Sequence, residues 1–359
     1  MQFIFDLLKI DLKLINYKDI LLSLLTAFTV CLLTIPVIIR FAKKFNFLDT
    51  PNARKLHTSP MPTLGGIAIF AGMMISLVSW YPVLENSLMH YFFFSVFILF
   101  ITGIWDDLKN IPARIKFIIE IALSFIIAWS GIRITSFEGL FFIWQLPEII
   151  QYLITILLIT GLTNAFNLID GIDGLAGSLG FMSLIGLGFF LHISGDTFMP
   201  MIVFTLAGSL LAFLYFNFSP AKIFMGDTGS LVIGFVIAVS CIRLINFNQS
   251  ELAPPLSNTL LLSLGLVMIP VFDMIRVIVI RIVQGKSPFT ADQNHIHHIL
   301  LNNGFSHEKV TQKICLVHGV VLLIVYWLQY LKMEYSMLIL FVFLILVVEF
   351  FKRHKPTIS

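Results

Sequence analysis

The feature that most constrains this chain is a succession of apolar blocks, each close to the length that carries a helix across a ~30 Å hydrocarbon layer. They fall at 19–40, 64–82, 90–105, 117–131, 149–166, 175–193, 199–216, 229–246, 260–283, 315–331 and 334–351. The runs are continuous and lack period-two alternation, so a barrel is excluded. Helices are then the only way to satisfy the backbone in lipid. Composition agrees: 58% of residues are hydrophobic and only 12% are charged, about half the charged share of a soluble domain. The expected fold is therefore an all-α, polytopic membrane bundle of about 10–11 spans, a single catalytic domain over 1–359. Residues 1–18 read as a candidate interfacial segment without a signal-peptide cleavage site. Cys31, Cys241 and Cys315 lie in apolar blocks at no metal-ligand spacing and read as space-fillers. The net charge of +3 gives no reason to expect a nucleic-acid partner.

Orientation follows from the basic residues in the loops. Connections after odd-numbered spans, with the C-terminal tail, carry Lys43, Lys44, Arg54, Lys55, Lys109, Arg114, Lys116, Lys222, Arg281, Lys286, Lys309, Lys313, Lys352, Arg353 and Lys355. Connections after even-numbered spans carry only Arg133 and Lys332. Lys9, Lys13 and Lys18 in the N-terminal tail weaken this bias without reversing it. The odd-numbered connections and the C-terminus are expected in the cytoplasm. Asp49, Asp106, Asp107, Asp170, Asp173, Asp227 and Asp292 fall in the same connections, as do His57, His295, His297 and His298. A transporter would place such groups at mid-membrane depth. Here the chemistry collects at one surface, in segments 41–63, 106–116, 164–174, 217–228 and 284–313.

Five of these segments carry chemistry. In GIWDDLKNIPARIK, Asp106 and Asp107 would diverge by about 100° on a helix, and their repulsion calls for a metal, Lys109, Arg114 or Lys116. An ordinary charged loop would also explain this segment. In TNAFNLIDGIDGLAG, Asn164, Asn167, Asp170 and Asp173 recur every third residue, and a helical backbone would align them along one side. Such a group is costly to bury without a partner. In FNFSPAKIFMGDTGSL, Asp227 precedes an apolar helix, where it suits a hard cation and the helix amides suit phosphate. Asp227 with Thr228 would equally be a plain helix cap.

In GKSPFTADQNHIHHIL, His295 and His298 share a helical face, with His297 turned away. Phosphate or sugar contacts fit this segment better than zinc, since no cysteine accompanies the histidines. In LDTPNARKLHTSPMPTLGG, Arg54, Lys55 and His57 suit phosphate, or a positive-inside anchor. Asp273 and Arg276, three apart inside a span, read as a structural pair.

Taken in order, these motifs resemble the polyprenyl-phosphate N-acetylhexosamine-1-phosphate transferase superfamily, glycosyltransferase family 4, over nearly the whole chain from Asp49 to His298. The string SPFTADQNHIHH looks like the branch that uses UDP-N-acetylglucosamine. In the peptidoglycan branch the histidines run uninterrupted, whereas Ile296 breaks the run here. The resemblance implies transfer of a sugar-1-phosphate, most simply N-acetylglucosamine-1-phosphate, from a UDP-sugar to undecaprenyl phosphate. UMP would be released, in the first membrane step of a cell-surface polysaccharide pathway at the cytoplasmic membrane. It implies Mg²⁺, or Mn²⁺, held by Asp227 and Asn167, and catalytic roles for Asp106, Asp107, Asp170 and Asp173. Substrate contacts are implied for Arg54, Lys55, His57, Lys116, Asn164, Asn217, Phe224, Arg281, His295, His297 and His298. A homodimer is compatible with this reading. The alternatives are the muramoyl-pentapeptide transferase of peptidoglycan synthesis and an ion-coupled transporter.

Overall fold

The structure, a computed structural model, describes residues 17–49, 60–80, 87–247, 258–288, 290 and 292–353. Its long helices follow the expected apolar blocks one for one. They are α1 (Tyr17–Lys44), α2 (Gly65–Trp80), α3 (Ser87–Lys109), α4 (Ala113–Trp129), α5 (Glu148–Ile169) and α6 (Leu175–Ile193). Then come α7 (Met199–Asn217), α8 (Gly226–Phe247), α9 (Thr259–Val283), a short α10 (Ile296–Asn302), α11 (His307–Leu328) and α12 (Met333–Arg353). Eight are long and apolar enough to cross a bilayer by length and composition. Helix α2 is shorter, at 16 residues, and α9 carries Asp273, Arg276 and Arg281 in its second half. The fold is an all-α polytopic membrane bundle. Residues 1–16 lie outside the described residues, so only Tyr17 and Lys18 of the expected interfacial segment are seen, as the start of α1.

Helix α8 is the axis of the bundle. Its sequence is apolar all round, as a helix enclosed on every side must be, and 94% of its span is buried. It packs against α2, α3, α5, α6, α7 and α9. Small residues let these backbones approach: a Cβ on Gly103 of α3 would lie 2.6 Å from the Thr228 amide nitrogen. Helix α1 is the opposite case, with 22% of its span buried and Leu21, Leu33 and Val37 facing outward. A second apolar cluster joins α6 and α9 to α10, α11 and α12.

The helix ends differ from the sequence reading in one consistent way. Residues expected in connecting loops continue the helices instead. Asp106, Asp107 and Lys109 form the last turns of α3, Lys116 lies in the first turn of α4, and Asn164 and Asn167 end α5. Helix-borne side chains are placed more firmly than loop-borne ones, because the backbone hydrogen-bonds itself. A two-residue antiparallel ribbon pairs Leu48 with Pro62 and Asp49 with Met61. Phe224 N–H donates to the Pro62 carbonyl at 2.8 Å, and Gly65 and Gly66 N–H donate to the Phe224 and Met225 carbonyls. These bonds lock the start of α2 to the approach of α8.

Candidate active site

The polar helix ends meet at the N-terminus of α8. Gly226 takes a positive φ of 70°, and a Cβ there would meet Asp107 Oδ2 at 2.5 Å, so only glycine fits the turn. The first amides of α8 need acceptors. Asp107 supplies them from α3: its Oδ1 accepts from Asp227 N–H at 2.8 Å, and its Oδ2 accepts from Thr228 N–H at 3.0 Å and Thr228 Oγ1 at 2.5 Å. The cap of α8 is therefore Asp107, contributed from another helix, and neither Asp227 nor Thr228 caps it. These two amides are taken, which corrects the expectation that they would meet phosphate.

Asp106 turns away from Asp107, as adjacent helical positions must. Its Oδ1 accepts from Ile111 N–H at 2.8 Å and its Oδ2 from Lys116 Nζ at 2.9 Å. The same Lys116 ammonium donates to Asp227 Oδ2 at 2.6 Å. One lysine thus bridges two carboxylates from separate hairpins. Of the cations weighed from sequence, it is Lys116 that offsets the acidic pair at Asp106.

The asparagine–aspartate ladder is only partly aligned. Asn167 Nδ2 donates to Ser230 Oγ at 3.0 Å, and its side chain also hydrogen-bonds Asp227. Asn164 donates to Glu120 in α4 and to the Thr160 carbonyl. Asp170 follows α5, where burial first, and then the charges of Asp227, Asp107 and Asp173, push its carboxyl up to about 7. Asp173 leaves the line because α5 has already ended. It accepts from Ala221 N–H at 3.2 Å and faces His307 Nδ1 at 3.5 Å. Burial works against ionisation there, but His307 and the Ala221 amide outweigh it and hold the carboxyl below its ordinary range.

Other expected contacts are spent inside the protein. Asn217 is buried; its Oδ1 accepts from Gly174 N–H at 2.9 Å and its Nδ2 donates to the Ile223 carbonyl at 2.9 Å. It staples the α7–α8 connection to the start of α6 through both of its polar atoms. Phe224 is partly buried, its backbone pinned to Pro62. Arg281 is buried, donating to Asp292 Oδ2 at 2.6 Å and the Pro288 carbonyl at 2.6 Å. Burial opposes the ionised form of Asp292, but Arg281 and Asn294 pull its carboxyl down to about 2.

The histidines also differ from expectation. His295 precedes α10, and its Nδ1 lies 2.8 Å from Asp273 Oδ2. Its ring stacks on His297 at 5.6 Å between centroids. His297 is the more deeply buried of the two, seated against Gly171 in the Asp170–Asp173 turn. Burial, and then His298, lower it to about 3, so it is neutral at neutral pH. His298 is half-buried beside it, at 4.4 Å, and burial lowers its basicity too. Asp273 and Arg276 pair as expected, at 2.8 Å. Arg54, Lys55 and His57 lie outside the described residues.

Sequence reasoning missed three participants. Glu120 is a buried acid in an apolar span, and its one signal was that such a residue seldom occurs without a role. Ser230 and His307 gave no signal, since only the tertiary contacts single them out.

Among the described residues the donor set at this corner is oxygen, from Asp227, Asn167, Asp106 and Asp170, which suits a hard divalent cation better than zinc. Among the described residues no three acidic, histidine or cysteine side chains form a ready-made ion cage. Lys116 instead holds the place between two of the carboxylates. The excess of acid over base around it, visible in the raised Asp170, fits a further cation or a cation-bearing ligand.

This is a polytopic membrane protein whose acidic and basic helix ends converge on one lysine at a single bilayer surface. The chain matches the family model described as Glycosyl transferase family 4 over residues 89–245. A Bacillus subtilis protein, named as a probable undecaprenyl-phosphate N-acetylglucosaminyl 1-phosphate transferase, is 32% identical over 295 residues, 80% of each chain. An Escherichia coli K12 undecaprenyl-phosphate alpha-N-acetylglucosaminyl 1-phosphate transferase is 28% identical over 84% of this chain and 82% of its own. The Yersinia pestis protein of the same name is 27% identical over 74% and 73%. The chain belongs to glycosyl transferase family 4.

Proposed function

We propose that this protein transfers N-acetylglucosamine-1-phosphate from UDP-N-acetylglucosamine to undecaprenyl phosphate at the cytoplasmic face of the inner membrane, releasing UMP. The observation that carries the reading is the Lys116 bridge between Asp106 and Asp227 at the capped start of α8. An anionic acceptor must meet an anionic diphosphate, so charge neutralisation and positioning dominate such a transfer. The names of the relatives support the sugar and the lipid, and the loop-charge bias supports the orientation. Nothing among the described residues of the site favours a muramoyl-pentapeptide donor or a transporter.

In the reaction an oxygen of the lipid phosphate forms a bond to the β-phosphorus of the donor. The bond from that phosphorus to the bridging oxygen breaks, and the electron pair leaves with UMP. A phosphate monoester has a second pKa of about 6, so the attacking oxygen is largely deprotonated at neutral pH and needs no strong base. Lys116 is placed to exchange its carboxylate partners for diphosphate oxygens. Asp106, whose Oδ2 meets Lys116 and whose side chain also meets that of Asp227, is the better placed of the acidic pair to orient the lipid phosphate, since Asp107 is engaged by the α8 amides. Asp107 acts through α8 as a positioning residue. Mg²⁺, when bound through Asp227 with Asn167 and neighbouring Asp170, supplies Lewis-acid neutralisation of the diphosphate.

Transfer of radiolabel from UDP-N-acetylglucosamine to undecaprenyl phosphate by the purified protein tests the reading, with chelator and restored Mg²⁺ as the second arm. Lipid-linked label that depends on Mg²⁺ is expected. Turnover with UDP-muramoyl-pentapeptide alone would overturn the sugar, and undiminished turnover in chelator would overturn the metal.

A further inference from the structure

At the end of the bundle opposite Asp227, the segment joining α4 to α5 folds over a cavity of about 710 Å³, within the range of small-ligand sites. Its lining combines the amides of Gln145, Gln151 and Asn258 and the hydroxyl of Ser136 with the Trp144 ring. Of these, Gln151 Nε2 donates to the Leu146 carbonyl, Asn258 Nδ2 to the Gln329 carbonyl, and Ser136 Oγ accepts from Glu138 N–H. Glu138 is the one charged side chain among its described lining residues, and it is already spent. Its Oε1 accepts from Thr259 Oγ1 at 2.5 Å and its Oε2 from Leu260 N–H at 3.2 Å, capping α9. With no lysine or arginine in that lining, a phosphate would find no counter-charge.

Two further observations mark this segment as more than a connection. Its backbone carries left-handed non-glycine residues: Glu138 at φ 54°, Phe141 at 52°, Phe142 at 63°, and across the cavity Asn258 at 56°. Each costs on the order of 1–3 kcal/mol, and such strain gathers at ligand sites. Trp144 in the lining is 68% exposed, and Phe141 and Phe142 in the same segment are exposed at 67% and 92%. Trp144 lies across Gly139, where a Cβ would sit 2.8 Å from the ring. Aromatic side chains at this level sit among lipid headgroups.

We propose that this cavity binds the neutral sugar headgroup of a glycolipid in the leaflet opposite the active site. The Gln145 amide donates and accepts, the Gln151 and Asn258 side-chain carbonyls accept, and the Ser136 hydroxyl donates, matching sugar hydroxyls. The Trp144 face packs on the apolar face of a pyranose, and the Phe141–Phe142 turn rests in the surrounding lipid.

The test is native mass spectrometry of the full chain released from nanodiscs of equal phosphatidylglycerol and diglucosyl-diacylglycerol, avoiding sugar detergents. One retained glycolipid is expected. Trp144→Ala should reduce retention about tenfold, the worth of one aromatic contact, and Gln145→Ala at the rim should reduce it by less. Transfer activity at the far end should be unchanged in both, which shows that the variants are folded. Equal retention of phosphatidylglycerol, or undiminished glycolipid on both variants, overturns the proposal. Displacement of the lipid by millimolar maltose would overturn the lipid as the source and assign the cavity to free glycan.

Discussion

Asp227 and Asp273 are both carboxylates set among helices, yet they are treated in opposite ways. Asp273 is 1% exposed and saturated: Arg276 and the Ile296 amide reach Oδ1, and His295 reaches Oδ2. The Arg276 guanidinium also grips the Asn294 carbonyl, so α9 and the histidine segment close into one unit. Asp227 is 23% exposed and, among the described residues, shares Lys116 with Asp106. The first arrangement needs nothing from outside. The second leaves acid in excess and a cation that can be recruited elsewhere, which is what a site for charged ligands requires. A buried ion pair is costly to break, while an under-compensated one is ready to accept a partner.

Separate readouts of turnover and stability would break this contrast. Asp227→Asn should lower turnover on the order of 10³-fold, comparable to removing one preorganised electrostatic contact, with little change in melting temperature in detergent. Retained activity would mean that the two acids are equivalent. Asp273→Ala should do the reverse, costing about 3–5 kcal/mol of stability because Arg276 and His295 lose their anion. A melting curve that does not move would dissolve the clamp. Asp107→Ala uncaps α8 and should cost about 1–2 kcal/mol, together with a fall in turnover that added substrate does not restore.

A finer test uses pH. Asp170 is raised from its ordinary carboxylate value to about 7, so the folded protein holds a proton there that the unfolded chain has lost. Stability should therefore decline as pH rises from about 5 to 8 in metal-free buffer. Asp170→Asn should make the slope shallower, and Mg²⁺ should reduce it by favouring the ionised form. Asp292, lowered to about 2 by Arg281 despite burial, should contribute no slope in that window. The smallest effect is expected at Glu120→Gln, which keeps an acceptor for Asn164. A turnover change of a fewfold is expected, and a total loss would place Glu120 among the groups that act directly.

Much of the site was legible because its residue types are improbable next to lipid. Asp106, Lys116, Asn167, Asp170 and Asp227 stood out as polar groups at the ends of apolar blocks, and all five converge. The sequence misled where a polar residue serves its neighbours. Asn217, Arg281 and His295 have the chemistry of substrate contacts, yet each is consumed by a carbonyl, amide or carboxylate that folding brings beside it. His297, assigned to the far side, is the histidine pressed against the Asp170–Asp173 turn, because His295 lies outside the helix that the spacing assumed.

By itself, then, the chain dictated the class of fold, since blocks of bilayer length without alternation have only helices open to them. It also dictated the end of the bundle that carries the chemistry, through the one-sided distribution of Lys, Arg and Asp. Which acid caps, which pairs and which stands under-compensated was decided only when α3, α4, α5 and α8 met. Those roles depend on distances of a few ångströms between residues far apart along the chain: Asp107 accepts from Thr228, and Lys116 from one hairpin reaches Asp227 in another. Local propensity has no access to such distances, while Coulomb and hydrogen-bond energies depend on them steeply.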